Sequence, residues 1–348
     1  MKIEKLNSEG AGIARYEGKI CFVPWAVPGD TVLVQVEKEG RDFNECRLLE
    51  IFEKSPDRVD PPCPYFLNCG GCQLQNLSYE AQLKAKQAIV TDALKRIARS
   101  DISVPPIIPS PKIWNYRNRI RLHRDRKGKI GFFKSSSHEI IEIDTCLIAD
   151  DRLNEKLKRV AFPPAADELE LRLDASRAFS QVNEAQNETM IKLVLKFASP
   201  KKGEKIIDLY CGAGNFTFPL AKTGADVIGV EKSGAEIEEA RKRAATEKVT
   251  NIRWIQQTAF SALVGLKGDG VACDTLVADP PRRGLAEAVE GIRPLSPKKI
   301  VYVSCNAATF ARDVNGLTKM GYRLDKIQPL DMFPQTAQVE IIGLLTRV

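Results

Sequence analysis

Three side chains able to do covalent and acid–base chemistry stand at the ends of predicted strands in the C-terminal half of the chain. Cys305 ends the run 299–305, Asp279 ends the run 274–279, and Glu340 comes at the start of the last apolar run. A cysteine beside a carboxylate can act as a nucleophile if the site removes its proton, and the carboxylate can act as a general base. The alternative is a cysteine merely buried at a strand end, and the nearby carboxylates count against it.

A turn with two glycines precedes these residues. The stretch 206–221, IIDLYCGAGNFTFPLA, gives a short apolar run, the turn and then a helical pattern. Gly212 and Gly214 remove side chains that would keep a ligand off the backbone, and the helix N-terminus offers free N–H groups. Glu231 ends the next apolar run, where an acidic residue accepts hydrogen bonds from a ribose. Thr217 replaces the third glycine of a dinucleotide fingerprint, which disfavours NAD or FAD; the loop resembles the S-adenosylmethionine site of Rossmann-like methyltransferases.

Clustered cysteines predict a metal centre. The chain has nine cysteines and no segment typical of a secretion signal, which indicates a reducing cytosol, where such thiols bind metals or do catalysis before they form disulfides. Zinc sites more often use two CxxC pairs, whereas three close cysteines with a remote fourth suit a 4Fe-4S cluster. Reduced buried thiols are the alternative. The predicted ligands are Cys63, Cys69, Cys72 and Cys146.

A basic stretch at residues 112–134 predicts contact with RNA. Strand alternation puts Arg117, Arg119 and Arg121 on one face, close in sequence to several aromatic residues. Such a face suits RNA phosphates and unstacked bases, although a solvated outer face of an antiparallel sheet is the alternative. Arg282, just after Asp-Pro-Pro, is predicted to offset negative charge at the site and to contact RNA.

The elements that must position the reactive residues form a doubly wound α/β pattern over residues 179–348. The first five of seven predicted strands alternate with helices and should be parallel. Only the loop MFPQTAQ separates the last two, so the final strand should be antiparallel. Ligands bind at the carboxyl ends of strands in such sheets, which brings the thiol, the carboxylates and the glycine turn to one edge. The predicted strands are 205–210, 226–231, 252–256, 274–279, 299–305, 322–331 and 339–346.

Two smaller domains are predicted before this sheet. Residues 1–54 alternate β-like runs with turns, typical of an OB-like barrel, and EGAGIARYEGKICFVPWAVPGDTVLVQV resembles the RNA-binding TRAM domain. A barrel that serves only as a structural cap is the alternative. Residues 55–178 should form a central α+β domain with the iron-sulfur site, and Ser78 should cap a helix over 78–99 that packs on the catalytic domain. No run of about 18 apolar residues predicts membrane insertion, and the net charge is +7.

The thiol, the carboxylates and a methyl-donating cofactor are together the groups needed to methylate carbon 5 of a pyrimidine. Carbon 5 of a pyrimidine is too weak a nucleophile to take a methyl group, but thiolate addition at carbon 6 makes it reactive. The proton left on carbon 5 must then be removed so that the thiol can leave. Cys305 would be the nucleophile, Glu340 the base, and Asp279 would orient the ring. The Asp-Pro-Pro-Arg motif also has an alternative interpretation, because amino-methyltransferases carry a related motif with an aromatic residue where this chain has Arg282. That interpretation gives the thiol of Cys305 no role.

These motifs together resemble the RNA uracil-5-methyltransferases, and most closely the bacterial 23S rRNA branch that has both a TRAM domain and a 4Fe-4S cluster. The resemblance covers nearly the full chain and rests on FSQVN, DLYCGAGNF, DPPR, SCN and MFPQT. Tyr210 and Thr258 depart from the usual Phe and Asn, and Gln338 departs from the usual His. The resemblance implies Cys305 as nucleophile, Glu340 as base and the four cysteines on the cluster. The cofactor contacts that it implies are Gln181, Tyr210, Asn215, Glu231, Thr258 and Asp279.

The sequence therefore predicts a cytoplasmic, monomeric enzyme that uses S-adenosylmethionine to make 5-methyluridine in 23S rRNA. Two alternatives stay open. One is methylation of the tRNA T-loop uridine, and the other is a redox-sensing RNA-binding protein without methyl transfer. The sequence does not identify the target uridine, nor whether the cluster is structural or redox-active.

Overall fold

The N-terminal strands form a closed five-stranded barrel in the computed structural model, which describes residues 1–163, 166–174, 181–286 and 288–348. The strands are β1 (Lys5–Leu6), β2 (Gly12–Tyr16), β3 (Lys19–Val23), β4 (Thr31–Glu39) and β5 (Phe43–Glu53). They pair in the order β1-β2-β3-β5-β4, and a bridge between Lys2 and Thr31 closes the circle. Cys21 and Val23 point into the core at the period of two expected for a strand. The predicted OB-like barrel is confirmed, with one parallel pair, β3 with β5.

A long helix connects the barrel to the rest of the protein. Helix α1 (Tyr79–Ala93) begins at Ser78, whose hydroxyl accepts from the N–H of Ala81 (3.4 Å), and continues as a π-helical turn (Leu94–Ala98). Its buried residues Val90 and Leu94 belong to the same hydrophobic core as the C-terminal sheet. The helix predicted over 78–99, with its packing on the catalytic part of the chain, is therefore present.

The central segment contains a four-stranded antiparallel sheet. Its elements are β6 (Arg119–Arg124), β7 (Ile130–Phe133), β8 (Ile140–Ile141), helix α2 (Asp151–Lys158) and β9 (Glu168–Arg172). The strand order is β8-β7-β6-β9. Ile120 and Leu122 are buried on one face of β6 and pack with α2, as alternation predicts.

The C-terminal sheet has seven strands, as predicted, and forms a doubly wound fold with one reversed strand. They are β10 (Lys205–Leu209), β11 (Asp226–Glu231), β12 (Ile252–Gln256), β13 (Thr275–Ala278), β14 (Lys299–Ser304), β15 (Tyr322–Leu330) and β16 (Glu340–Arg347). The order is β12-β11-β10-β13-β14-β16-β15. The first five pair in parallel, and β16 is antiparallel to both neighbours. Both predictions of strand direction are confirmed.

Helices cover both faces of this sheet, so its strands are apolar on both sides. They are α3 (Glu184–Ala198), α4 (Thr217–Ala221), α5 (Gly234–Thr246), α6 (Ala259–Gly268), α7 (Ala288–Leu295) and α8 (Ala307–Thr318). The predicted domain start at residue 179, with the first two residues of FSQVN, lies outside the described residues. No helix within the described ranges is long and apolar enough to cross a membrane.

Candidate active site

The carboxyl ends of the parallel strands border a cavity of about 600 Å³. Cys305, Asp279 and Glu340 all line it. Strand β14 pairs with β16 so that Ser304 faces Ile341, and the same register continued by one residue puts Cys305 opposite Glu340. The reversed final strand therefore delivers a carboxylate to the thiol, because its first residue lies where the neighbouring strand ends.

Burial at this edge raises the proton affinity of two carboxylates, Glu340 and the partly exposed Asp279. Burial raises the pKa of Asp279 to about 7. Glu340 is 3% exposed, and its pKa is raised well above the usual value by burial and then by the charge of Asp279. Two close acids in an apolar site cannot both ionise cheaply, so the pair retains a proton near neutral pH. Such carboxylates are stronger proton acceptors than exposed ones.

Cys305 is half-buried, and its surroundings mostly oppose ionisation. The pKa of its thiol is raised to about 11, first by burial and then by Glu340, with a smaller contribution from Asp279, whereas Arg282 lowers it. At neutral pH the free protein therefore holds a thiol. Its use as a nucleophile requires a base beside it, a role for which the carboxylates are available.

The glycine turn predicted to hold a cofactor forms one wall of the cavity. Tyr210 has φ +60° and Gly212 has φ +53° at the end of β10. A side chain added at Gly212 would meet only Glu236, at 3.8 Å, so the backbone is open to the cavity. Gly214 does not line the cavity: a side chain there would come within 2.6 Å of the Phe218 ring. The second glycine serves internal packing, since a ring occupies the space that its missing side chain leaves.

The other predicted cofactor residues reach the same cavity. Gln181, Asn215, Glu231 and Thr258 all line it. Glu231 accepts from the N–H of Ser233 (2.8 Å), which fixes its carboxylate at the end of β11. The Thr258 hydroxyl caps α6 by accepting from the N–H of the residue three positions on (3.3 Å). The amide of Asn215 is held by a reciprocal pair of hydrogen bonds with the amide of a residue on α3.

Several lining residues were not predicted from the sequence. Glu236 lies in the first turn of α5, Phe260 in the first turn of α6, and Phe333 in the loop before β16. Phe333 is part of the MFPQT phrase, which identified the loop but not the side chain that enters the cavity. Glu236 and Phe260 could have been predicted from their positions at helix N-termini, because those helix ends face the strand ends where ligands bind.

Comparison with known proteins identifies the family. The sequence profile of the tRNA (uracil-5-)-methyltransferase family matches residues 172–348, and that of the TRAM domain matches residues 1–43. The chain belongs to the RNA uracil-5-methyltransferases. As a member of this family it is an enzyme, which disfavours the alternative of a binding protein without methyl transfer.

Individual relatives of this uracil-5-methyltransferase cover its full length. It is 36% identical to an uncharacterised RNA methyltransferase of Bdellovibrio bacteriovorus, over 99% of this chain and 94% of the relative. It is 32% identical to the 23S rRNA (uracil(1939)-C(5))-methyltransferase RlmD of Shewanella sediminis, over 99% and 95%. The structure of Pyrococcus abyssi tRNA (uracil-54, C5)-methyltransferase with S-adenosyl-L-homocysteine is 27% identical and matches with a TM-score of 0.72, covering 99% of this chain and 100% of that one.

The four predicted metal ligands of the methyltransferase line a second cavity, of about 430 Å³, in the central segment. Cys63, Cys69, Cys72 and Cys146 border it, so the remote cysteine does return to the other three. Burial raises the pKa of Cys69 to about 11 and that of Cys72 to about 12. Within the described ranges, no group of three or more His, Cys, Asp or Glu side chains meets the geometry for holding a metal ion.

Arg117 does not lie on the exposed strand face predicted for it. It precedes β6 and pairs with residue 149 rather than with β9, which turns its side chain toward the cysteine cavity. Its Nε is buried and, among the residues that the structure describes, no atom accepts a hydrogen bond from it. Its charge favours the thiolate forms of Cys72 and Cys146. The alternation rule failed here because the chain enters the strand only at Arg119.

Arg119 and Arg121 lie on β6 opposite the acidic strand β9. Arg121 is 57% exposed and forms ion pairs with Glu168 (3.2 Å) and Glu170 (3.8 Å). This face of the methyltransferase is therefore a ladder of mixed charge. The local sequence could not reveal this, because the glutamates come from a strand more than 40 residues away in sequence.

Proposed function

We propose that this enzyme makes 5-methyluridine in 23S rRNA with S-adenosylmethionine as the methyl donor. The observation that carries the chemistry is the register of β14 and β16, which pairs Ser304 with Ile341, together with the position of the next residues outward, Cys305 and Glu340, in the lining of one cavity. The choice of 23S rRNA is supported by the 32% identity to RlmD of Shewanella sediminis over 99% of the chain. The target position within the rRNA is taken from that relative's name, uridine 1939.

The proposed reaction begins at the thiol. Cys305 passes its proton to the buried carboxylate pair, and its sulfur bonds to carbon 6 of uracil, so that carbon 5 can attack a methyl group. S-adenosylmethionine, when bound, supplies that methyl group and leaves as S-adenosylhomocysteine. The carboxylate pair next releases the thiol's proton to solvent, so that Glu340 can take the proton from carbon 5, and the bond between sulfur and carbon 6 breaks to release 5-methyluridine. Asp279 orients the ring by a hydrogen bond, and Arg282 offsets the negative charge that develops on it.

The residues present fit the proposed methyl donor. Gly212 opens the backbone at the cavity wall, and Glu231 stands at the end of β11, where a ribose would be bound. Gln181, Tyr210, Asn215 and Thr258 would complete the contacts, together with Asp279. The relative of known structure that binds S-adenosyl-L-homocysteine supports this assignment. Gly214 is left out, because it packs against an aromatic ring.

A 4Fe-4S cluster is proposed for the cysteine cavity. Four thiols border one space, that of Cys72 buried and the others partly buried, and a cluster occupies more room than a single ion, so its ligands need not meet the geometry of an ion site. Arg117 supports an anionic occupant, because its side chain lines the same space and its buried Nε has no hydrogen-bond partner among the described residues. Cys63, Cys69, Cys72 and Cys146 would hold it. Iron and sulfide assays on protein purified without oxygen test this, and absence of both would refute it.

The RNA contacts proposed are those of one arginine at the cavity rim and two on β6. Arg282 is exposed at the rim of the active-site cavity, where a flipped nucleotide would enter. Arg119 and Arg121 would contact phosphates farther along the strand, and Arg121 would then exchange its glutamate partners for RNA. The barrel, with its match to the TRAM domain, supports a further RNA contact.

A tRNA substrate is the second candidate, since the Pyrococcus relative is named for uridine 54 of tRNA. The deciding experiment measures tritium release from RNA labelled at carbon 5 of uridine, with S-adenosylmethionine present. Release from 23S rRNA fragments alone is expected. Release from a tRNA transcript alone would keep the chemistry and overturn the substrate, and release from neither would refute the proposal.

The matched variants for this assay are Cys305→Ala and Cys273→Ala. The first should abolish tritium release while cofactor binding persists, because the nucleophile is gone. The second removes a buried thiol at the start of β13 and should retain release. Turnover by Cys305→Ala would refute the assignment of the nucleophile.

A further inference from the structure

Asp313 is a buried carboxylate in α8 that has no part in the proposed chemistry. It is 4% exposed. One of its oxygens accepts from the hydroxyl of Tyr302 (2.7 Å) and from the N–H of Leu285 (2.8 Å). The other accepts from the guanidinium of Arg312 (2.7 and 3.0 Å). A carboxylate with this many partners is held in one orientation, and it ties β14, α8 and the loop 280–285 together.

Two other side chains of α8 hold the same loop. The Thr309 hydroxyl donates to the carbonyl of Arg282 (3.1 Å). The Arg312 guanidinium donates to the next carbonyl along the loop (2.7 Å). Gly284 permits this close approach: it has φ +78°, and a side chain there would come within 2.2 Å of an Asp313 oxygen. The loop is thus fixed to the helix that begins just after Cys305.

We propose that Asp313 is a positioning residue, which together with Thr309 and Arg312 holds the 280–285 loop so that the Arg282 guanidinium faces Cys305. Both side chains line the same cavity. This role rests on the proposed function, because it takes Cys305 as the nucleophile. It assigns to α8 the task of keeping a cation beside a thiol that must ionise.

The charges around the thiol show why this matters. Glu340 from β16 and Asp279 from the end of β13 both raise the pKa of Cys305, whereas the charge of Arg282 lowers it. If the loop moves, the thiol keeps the two carboxylates and loses the cation. The thiolate fraction at a given pH then falls.

The test follows the ionisation of Cys305 directly. Alkylation by iodoacetamide is measured from pH 7 to 10, with mass spectrometry of the peptide that contains Cys305, in wild type, Asp313→Asn, Arg282→Met and the double variant. Asp313→Asn should slow alkylation about tenfold at fixed pH, which corresponds to a pKa about one unit higher. Arg282→Met should do the same, and the double variant should show no further decrease, because both changes remove one interaction.

Unchanged alkylation in folded Asp313→Asn, or fully additive effects in the double variant, would overturn the proposal. If Asp313→Asn does not fold, Thr309→Val removes the hydrogen bond to the Arg282 carbonyl and keeps a branched side chain. It should slow alkylation in the same direction, and no change would overturn the positioning role.

The control is Asp325→Asn, which breaks a different arginine–aspartate pair on β15. Asp325→Asn should leave the alkylation of Cys305 unchanged. Slower alkylation in this variant would mean that breaking any arginine–aspartate pair slows the reaction, and would overturn the specific role of Asp313. Failure of the proposed function gives a separate signal. Methyl transfer by Cys305→Ala would remove the nucleophile assignment, whereas the alkylation rates would still report whether Asp313 holds Arg282 in place.

Discussion

At the scale of single residues, the candidate active site brings together acidic groups that disfavour one another's ionisation. In the proposed reaction Cys305 must lose a proton, yet burial and Glu340 raise its pKa to about 11. Glu340 must accept a proton, and the same burial raises its own pKa. The thiol is thus kept protonated until a substrate arrives, and the carboxylate is a strong acceptor once it has ionised. One environment tunes both groups for their proposed tasks.

Glu340→Gln tests the base at this scale. The glutamine has nearly the same volume but cannot accept the carbon 5 proton, so the methylated adduct on Cys305 should persist. We expect a protein–RNA complex that survives denaturing electrophoresis and carries the mass of the methylated nucleotide. Asp279→Asn is the control, and it should lose turnover without an adduct, because the ring is no longer oriented. Normal product release by Glu340→Gln would show that another group removes the proton.

At the scale of elements, the strand-to-helix turn after β10 depends on two glycines with different tasks. Gly212 opens the backbone to the cavity, whereas Gly214 makes room for the ring of Phe218, which in turn packs against Trp254. The motif GAG correctly predicted a turn between a strand and a helix. It did not reveal that its second glycine faces the interior.

Gly214→Ala should therefore destabilise the protein. The new methyl group would overlap the Phe218 ring, and φ +91° is strained for alanine, so the free energy of unfolding should fall by about 1–3 kcal/mol. Gly265→Ala, within α6 and with no atom near its added methyl group, should raise it by up to about 1 kcal/mol. Urea unfolding measures both. A Gly214→Ala variant as stable as wild type would mean that the ring has another position available.

At the scale of the whole molecule, α1 supports the loop that leads to Glu340, the proposed base. Lys86 donates to Asp331 (2.6 Å) and to the carbonyl of Phe333 (3.0 Å), and both charged side chains are fully buried. Gln82 donates to the side chain of Gln335 (2.9 Å) in the same loop. The cavity wall at Phe333 and the start of β16 are thus held by a helix from the central segment.

Breaking this buried pair should cost far more stability than breaking an exposed one. Lys86→Met leaves Asp331 buried without its cation, and the free energy of unfolding should fall by about 3–5 kcal/mol. Lys86→Met with Asp331→Leu should recover part of the loss, because no charge is left unpaired. Lys38→Met, which removes the exposed Lys38–Glu45 pair, should change it by less than about 1 kcal/mol. Equal losses for Lys86→Met and Lys38→Met in chemical denaturation would contradict the assigned importance of the buried pair.

The sequence by itself determined the elements and most of the cavity-lining residues. Strand periods, helix caps and loop lengths can be recognised from residues that are neighbours in the sequence. They were enough to predict the seven strands, the reversed β16 and the convergence of Cys305, Asp279 and Glu340. A family resemblance added further cofactor contacts, all of which line the cavity, whereas Gly214, predicted from the glycine turn, does not.

Only the tertiary structure decided the contacts between residues distant in the chain. Arg117 turned toward the cysteines, Arg121 paired with glutamates of β9, and Asp313 reached the loop at Leu285. Each outcome depends on which strand or helix lies alongside, and a local pattern carries no information about that partner. Side-chain direction within an element is set by its period, whereas charge balance and pKa are set by neighbours that only folding brings together.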